Sequence, residues 1–128
     1  MIAETEVERL IAAPRTVIAP YQKDDAEAQQ IARDIDAVPL PPYVAEIRLR
    51  LDDDWLGNPG VFLYVIAEDE AFEKAKRISE VTVPVDHPLT QMLFAKANGR
   101  FPFISFRSVG EQRELDEEDA KPAKRRRR

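Results

Sequence analysis

The chain contains no cysteine, which excludes disulfides, thiolate-bound metals and thiol nucleophiles. No apolar run approaches the roughly 20 residues of a membrane-spanning helix. The first residues also lack the basic start and apolar stretch of a signal peptide, so we expect a cytoplasmic protein. His87 is the single histidine, and no Gly-x-Ser-x-Gly motif is present. No recognisable arrangement for acid–base or nucleophilic catalysis is therefore present, and we expect neither enzymatic activity nor a cofactor.

The net charge of −5 conceals two regions of opposite sign. Residues 121–128 hold six of the 19 basic groups and no acidic group. The rest of the chain carries 13 basic and 24 acidic groups, a balance of −11. Because duplex affinity depends on neutralising phosphates, this acidic body argues against a nucleic-acid-binding face on the folded domain.

Two helices are predicted in the first forty residues. Residues 2–12 suit a short helix with an apolar face, and residues 25–38 repeat apolar side chains at three- and four-residue steps. Asp24 or Asp25 is a suitable cap for the second helix. Between the two helices, residues 16–18 suit a short extended piece.

Residues 43–51 predict a strand with one wet face. Their apolar side chains alternate with Glu46, Arg48 and Arg50, and Val44 is the exception. Such alternation is typical of a strand that buries only one side.

Residues 61–67 are apolar at every position and predict a central strand covered on both faces. They pair with 43–51 across a turn that contains Gly-Asn-Pro-Gly at 57–60, which is strong turn chemistry. A helix is predicted next, over residues 69–80. Its expected buried stripe consists of Ala71, Phe72, Ala75 and Ile78.

Prolines shape the prediction for the C-terminal half. Pro84 makes residues 81–85 an edge strand or extended connector, despite their β-rich composition. The Asp-His-Pro sequence at 86–88 predicts the start of a helix that Gly99 ends. The aromatic segment 101–107 predicts a final strand. Its phenylalanines, expected to pack in the core rather than to stack on bases, are Phe101, Phe103 and Phe106.

These elements predict an α+β fold. We expect one domain over residues 1–110, in which helices pack on a small, mainly antiparallel sheet. Residues 111–128 are acidic and then basic, with little apolar surface to bury. They predict a disordered charged tail, with at most a weak helix at 111–119.

Three polar motifs each have a chemical interpretation and a simpler one. Asp52–Asp54 could bind a divalent metal, but the spacing of a calcium loop is missing, and a solvated turn is preferred. Gly57–Gly60 joins two strands rather than opening a helix, so a plain turn is preferred over a phosphate cradle. His87 is interpreted as part of a helix cap.

Two groups of residues are candidates for binding a partner. Trp55, in the turn, is either an interface anchor or folds back to cap the open end of the sheet. Arg48 and Arg50 mark either an interaction surface or ion pairs with cross-strand acidic partners. The tail is a candidate site for nucleic acid or another anion, unless it folds back on the acidic run at 114–119. Its basic residues are Lys121, Lys124, Arg125, Arg126, Arg127 and Arg128.

Segment 47–69, IRLRLDDDWLGNPGVFLYVIAED, is followed by a helix and then by RFPFISFR at 100–107. This pattern resembles a loose group of small uncharacterised bacterial proteins with a strand, an acidic turn ending in Gly-x-Pro, an apolar strand, a helix and a closing aromatic strand. Proteins of that group are often encoded beside HEPN-domain proteins, in toxin–antitoxin or defence-like settings. The resemblance implies a protein partner, the product of a neighbouring gene.

The sequence therefore favours a non-enzymatic accessory or antitoxin-like protein that binds a partner protein. The alternative is a nucleic-acid-associated protein that acts through its basic tail. A metal-dependent enzyme built on Asp52–Asp54 is a third hypothesis.

Overall fold

The computed structural model describes residues 13–120, so the predicted helix at 2–12 and the basic tail at 121–128 lie outside the described residues. Within 13–120 the chain forms a four-stranded sheet and four α-helices, and the α+β prediction is confirmed. None of these helices is long and apolar enough to cross a membrane. The strands are β1 (Thr16–Ile18), β2 (Val44–Asp53), β3 (Pro59–Ala67) and β4 (Phe101–Ser108), and the helices are α1 (Ala26–Asp36), α2 (Asp69–Lys74), α3 (Ser79–Lys96) and α4 (Val109–Asp119).

The sheet is mixed, so the expectation of a mainly antiparallel sheet is wrong. The strand order is β1-β2-β3-β4. The predicted hairpin of β2 and β3 is antiparallel, whereas β1 runs parallel to β2 and β4 runs parallel to β3. Helices connect both parallel pairs: α1 lies between β1 and β2 in the chain, and α2 and α3 lie between β3 and β4. Such helical crossovers return the chain to the starting end of the sheet, which makes the next strand parallel.

One face of the sheet carries the core, beneath α1 and α3. Helix α1 begins after the predicted cap Asp25, whose side chain accepts a hydrogen bond from the Ala28 N–H at 3.0 Å. The buried side chains are almost all aliphatic. Those contributed by β2 and β3 at alternating positions are Ile47, Leu49, Leu51, Val61, Leu63 and Val65.

Helix α3 overturns two predictions, because residues 81–85 and 86–88 all lie inside it. Pro84 and Pro88 each cost about 3 kcal/mol relative to alanine in a helix interior. The helix nevertheless buries every fourth residue from Val81 to Leu93, and each such side chain contributes about 1.5–3 kcal/mol on burial. This apolar stripe offsets the prolines. The buried residues of α3 are Val81, Val85, Leu89 and Leu93.

Helix α2 is shorter than the predicted helix at 69–80 and buries none of its residues. It ends at Lys74, and Ile78, expected in a buried stripe, is exposed. His87 is also exposed, on the middle of α3 rather than at a helix cap.

The irregular position of Val44 in the predicted strand has a structural cause. The register of β2 against β3 shifts between Val44 and Glu46, so Ala45 is an extra residue, as in a β-bulge. Val44 is consequently buried and Ala45 exposed. Beyond the bulge the predicted alternation holds.

Residues 111–119, expected to belong to a disordered tail, form most of α4. The helix begins with a capping box, in which the Ser108 hydroxyl accepts from the Glu111 N–H and the Glu111 carboxylate accepts from the Ser108 N–H. Such reciprocal bonds satisfy two backbone donors that would otherwise lack partners. Gln112 is buried against the sheet, so α4 belongs to the folded body.

Candidate binding surface on the open sheet face

The open face is the side of the sheet that is turned away from α1 and α3. Strand residues alternate between the two faces, so the open face takes the residues that lie between the buried ones. The register aligns Arg50, Phe62 and Phe103 in one cross-strand row. It aligns Arg48, Tyr64 and Ser105 in the next row.

The prediction that β3 is covered on both faces is wrong over its first half. Phe62 and Tyr64 are half-buried on the open face, and only at Ile66 does the strand become buried there. Phe103 lies on the same face, and Phe101 is 51% exposed, so neither packs in the core as expected. Phe106 does pack against the core cluster.

An aromatic cluster forms the most exposed apolar part of this face. Phe103 is central: its ring stacks on Phe62 at a centroid distance of 4.8 Å and contacts Phe101 at 5.2 Å and Trp55 at 6.3 Å. Phe101 in turn meets Phe94 of α3 edge-on at 5.5 Å. The cluster, defined as these five residues, therefore extends from the open face around the outer edge of β4.

Gly60 permits the two central rings to lie close to the sheet. A methyl group on Gly60 would come within 3.0 Å of ring carbons of both Phe62 and Phe103. Such a separation is closer than carbon atoms normally approach. The glycine is therefore a packing feature of the aromatic cluster as well as part of the predicted turn.

Trp55 is exposed in the acidic turn. Asp54 organises the turn, since its Oδ1 accepts hydrogen bonds from the N–H groups of Leu56 and Asn58, both at 2.9 Å. The exposed fractions are 83% for Trp55 and 73% for Leu56. Trp55 thus presents most of its surface to solvent.

Arg50 and Arg107 lie over aromatic rings of the open face. The Arg50 guanidinium carbon is 4.5 Å from the centroid of Phe62, and that of Arg107 is 3.9 Å from the centroid of Tyr64. The Arg50 Nε is 3.5 Å from an Asp52 carboxylate oxygen, close enough for an ion pair but without a hydrogen bond. The acidic partner of Arg50 is therefore on its own strand rather than cross-strand.

Arg48 connects the open face to α4. Its two terminal nitrogens donate to the two carboxylate oxygens of Asp116 at 3.1 and 3.0 Å, and its Nε donates to Glu46 at 2.9 Å. The hydrogen bond with Asp116 raises the pKa of Arg48 and lowers the pKa of Asp116 below its ordinary value. Gln112 extends the network by donating to Asp116 and accepting from Arg107.

These contacts divide the open face into two parts. Helix α4 covers the end near Glu46 and Ile66, and the aromatic cluster occupies the other end. Between the covered end and β1 lies a hollow of about 330 Å³. Its walls include Val17, Pro20, Arg48, Phe62 and Tyr64.

The described part of the chain, 13–120, has no group of three or more His, Cys, Asp or Glu residues positioned to hold a metal ion. In the Asp52–Asp54 turn, one oxygen of Asp54 is occupied by backbone N–H groups and Asp52 lies beside Arg50. The turn interpretation therefore accounts for the contacts of these carboxylates.

The sequence predicted Trp55, Arg48 and Arg50 as candidates but placed Phe101 and Phe103, which lie near them, in the core. The signal was present as cross-strand pairing, since Phe62 and Phe103 are directly opposite each other. That pairing cannot be seen without the parallel order of β3 and β4. The six basic residues of the tail lie outside the described residues.

No protein-family model matches the chain, and no curated protein or solved structure is significantly similar to it. The resemblance to proteins encoded beside HEPN-domain proteins stays a prediction.

Proposed function

We propose that this is a non-enzymatic accessory or antitoxin-like protein that binds a partner protein through its aromatic cluster. The observation that carries the proposal is the continuous set of ring contacts that leaves Trp55, Phe94 and Phe101 each more than half exposed. Exposed apolar patches of this kind typically mark interaction sites, and aromatic residues are enriched at the centres of interfaces.

The charge around the cluster indicates the chemistry of the partner. Residues 13–120 contain 12 basic and 21 acidic groups, and three consecutive aspartates precede Trp55 in the turn. Complementary charge accelerates association and disfavours wrong partners. The proposed partner therefore presents an apolar patch bordered by basic residues, as proteins that act on nucleic acids commonly do.

A protein partner fits the open face better than single-stranded RNA. Bases stack on free aromatic faces, but guanidinium groups already lie over Phe62 and Tyr64. The arginine Arg48 is also neutralised by Glu46 and Asp116. The face therefore offers little uncompensated positive charge for phosphates.

The sequence of residues 121–128 supports a second candidate function, binding of nucleic acid through the tail. Six basic groups without an acidic neighbour attract phosphates in a salt-dependent manner. If the tail binds nucleic acid, deletion of residues 121–128 removes RNA binding and its salt dependence. Undiminished RNA binding by the truncated protein rules the candidate out.

Trp55 provides a direct test of the partner-protein proposal because it is the only tryptophan. The product of the neighbouring gene is purified without tryptophan, by substitution where necessary, and is titrated into the full-length protein. Burial of an indole ring that is 83% exposed is expected to shift its emission to shorter wavelength, with saturation at equal stoichiometry. Nuclease treatment must leave the binding curve unchanged.

A matched pair of variants locates the binding surface. By isothermal titration calorimetry, Phe101→Ala is expected to weaken binding at least tenfold, because truncation of an interface anchor commonly costs about 2 kcal/mol or more. Ile78→Ala removes an apolar side chain outside the cluster that is 65% exposed, against 51% for Phe101, and should bind normally. Equal affinities for both variants would overturn the proposed surface, and absence of binding by the unmodified chain would overturn this choice of partner.

A further inference from the structure

Strand β4 is a long sheet edge with little charge. Within residues 13–120 no strand pairs with its outer side. The opposite edge, β1, has only three residues, whereas β4 has eight, among which Arg107 is the single charged residue. Natural proteins usually keep edge strands short or charged to prevent pairing with another chain. The chain is 34% charged overall, so the low charge of β4 is a local property.

Pro102 indicates which backbone groups of β4 face outward. A proline is accommodated in an edge strand when its nitrogen points away from the neighbouring strand, because it has no N–H to donate. Successive residues of a strand direct their N–H and C=O groups to opposite sides. Ile104 and Phe106 therefore share the direction of Pro102 and present their backbone groups to the outside.

The surroundings of this edge are apolar on both sides of the sheet. On the open face Phe101 is half exposed, and beside it Phe94 of α3 is 59% exposed. On the opposite face Ile104 and Phe106 are only partly buried, although they pack against the core. An added strand would cover these side chains as well as satisfy the backbone groups.

We propose that a second copy of this chain pairs with β4 in antiparallel orientation, about a two-fold axis at Ile104. Ile104 then exchanges both ladder hydrogen bonds with its counterpart, and Phe103 lies opposite Ser105 of the second copy. The two sheets become one continuous sheet, and the contact uses the same surface on both copies, as two-fold dimers do. This dimer goes beyond the proposed partner binding. It leaves Trp55 exposed but covers Phe101 and Phe94, so the second copy and the proposed partner compete for that end of the aromatic cluster.

The sequence of β4 favours a second copy over an unrelated extended peptide. The ring of Phe103 in one copy lies opposite the small side chain of Ser105 in the other. The two-fold axis repeats this pair on its other side. Pro102 falls opposite Phe106, whose N–H can donate to the Pro102 carbonyl. Only one ladder bond of that pair is lost, so the proline is compatible with the symmetric register.

Molar mass in solution tests the dimer. Light scattering after size exclusion, at high micromolar concentration and without any partner, should give twice the chain mass of 14.6 kDa. Ser105→Lys places a charge beside the axis on a residue that is exposed in the single chain, and should give the single-chain mass with the circular-dichroism spectrum of a folded chain. Ser105→Thr is the matched uncharged control and should remain dimeric. A single-chain mass for the unmodified protein overturns the proposal.

Cross-linking tests the register, since the chain has no native cysteine. Residues 103 and 105 form a non-hydrogen-bonded pair with Cα atoms about 4.5 Å apart, within the usual range of a disulfide. A mixture of Phe103→Cys and Ser105→Cys proteins should therefore form a disulfide-linked dimer on mild oxidation, whereas each alone should not. Equal cross-linking of the separate proteins would contradict this register. Trp55→Ala should leave both results unchanged, which keeps this test independent of partner binding.

Discussion

The two faces of the sheet are built from neighbouring residues of the same strands, yet they differ in chemistry. Towards α1 and α3, β2 and β3 present aliphatic side chains that are almost fully buried. Towards the open face the same strands present arginine, phenylalanine and tyrosine that are half-buried. Alternate residues of one sheet thus place aliphatic core side chains on one face and aromatic and charged side chains on the other.

The interactions on the two faces also differ in strength. Complete burial of a leucine or valine contributes about 1.5–3 kcal/mol, and the covered face has many such residues. A cation–π contact at a partly exposed site contributes about 0.5–1 kcal/mol, and an exposed ion pair often less. We therefore expect substitutions to have large effects on folding from one face and small effects from the other.

Adjacent residues of β3 give the largest contrast. Leu63 is buried in the core and Tyr64 is half-buried beneath Arg107. Leu63→Ala should lower the free energy of unfolding by about 2–5 kcal/mol, because it leaves a cavity in packed surroundings. Tyr64→Ala should lower it by about 1 kcal/mol, through loss of the cation–π contact and part of the ring's buried area. Urea denaturation of both variants measures the difference, and equal losses would mean that the open face also contributes to the core.

The sequence could predict the residues of the covered face but not the exposure of the open face. In β2 the alternation of leucines with Arg48 and Arg50 identified the buried side correctly. In β3, Phe62 and Tyr64 are as apolar as their neighbours, so composition could not show that no helix covers them. Coverage depends on where α4 packs, and one contact that ties α4 to the sheet joins Arg48 to Asp116 across 68 positions of sequence. No local pattern encodes such a pair.

Helix α3 shows a second limit of the sequence pattern. The β-branched run at 81–85 with its proline is typical of a strand or connector, but burial of a stripe with four-residue spacing forms a helix there instead. The spacing continues from Val81 through Leu93 and was available in the sequence. The two prolines obscured it.

Arg100 ties helix α1, on the covered face of the sheet, to the beginning of β3. Its Nε and one terminal nitrogen donate to Glu27, and the other terminal nitrogen donates to the Gly60 carbonyl at 3.0 Å. Arg100→Met keeps much of the side-chain volume and removes these bonds. We expect a loss of about 1–2 kcal/mol in the free energy of unfolding, because bonds with a charged group exceed the usual 1 kcal/mol but this pair is partly exposed.

Lys96→Met is a suitable control for Arg100→Met, since it removes a positive charge from an exposed residue at the end of α3. Its unfolding free energy should change by less than about 0.5 kcal/mol. If both variants unfolded at the same urea concentration, the Glu27–Arg100 contact would contribute nothing beyond net charge.

Gly60→Ala tests the packing of the aromatic cluster on the open face. The added methyl group forces the rings of Phe62 and Phe103 to move, at a cost of about 1 kcal/mol, the low end for overpacking, because both rings can shift towards solvent. Because Phe103 contacts Trp55, the fluorescence of Trp55 should change. Gly99→Ala is the control: it strains a backbone with a φ of +83° but meets no neighbouring atom, so it should destabilise the chain without altering the emission.

The smallest expected effect is a pH-dependent loosening of α4 on the open face. The Arg48 hydrogen bond lowers the pKa of Asp116, so the unfolded chain binds a proton there more readily than the folded chain. The contribution of this contact is therefore complete above the ordinary aspartate pKa of about 3.9. It disappears as the pH falls through the lower folded-state value. NMR signals of the Arg48 Nε–H and the Gln112 amide should report this change.

The variant Asp116→Asn distinguishes this titration from general acid unfolding. At neutral pH, the Arg48 Nε–H chemical shift of this variant should be close to the value that the unmodified protein reaches at low pH. It should not change as Asp116 titrates in the unmodified protein. The amides of β3 in the core should be insensitive to pH over the same interval in both proteins. If the Arg48 signal of the unmodified protein moved only together with those core amides, α4 would not detach separately, and the two faces of the sheet would lose their structure as one unit.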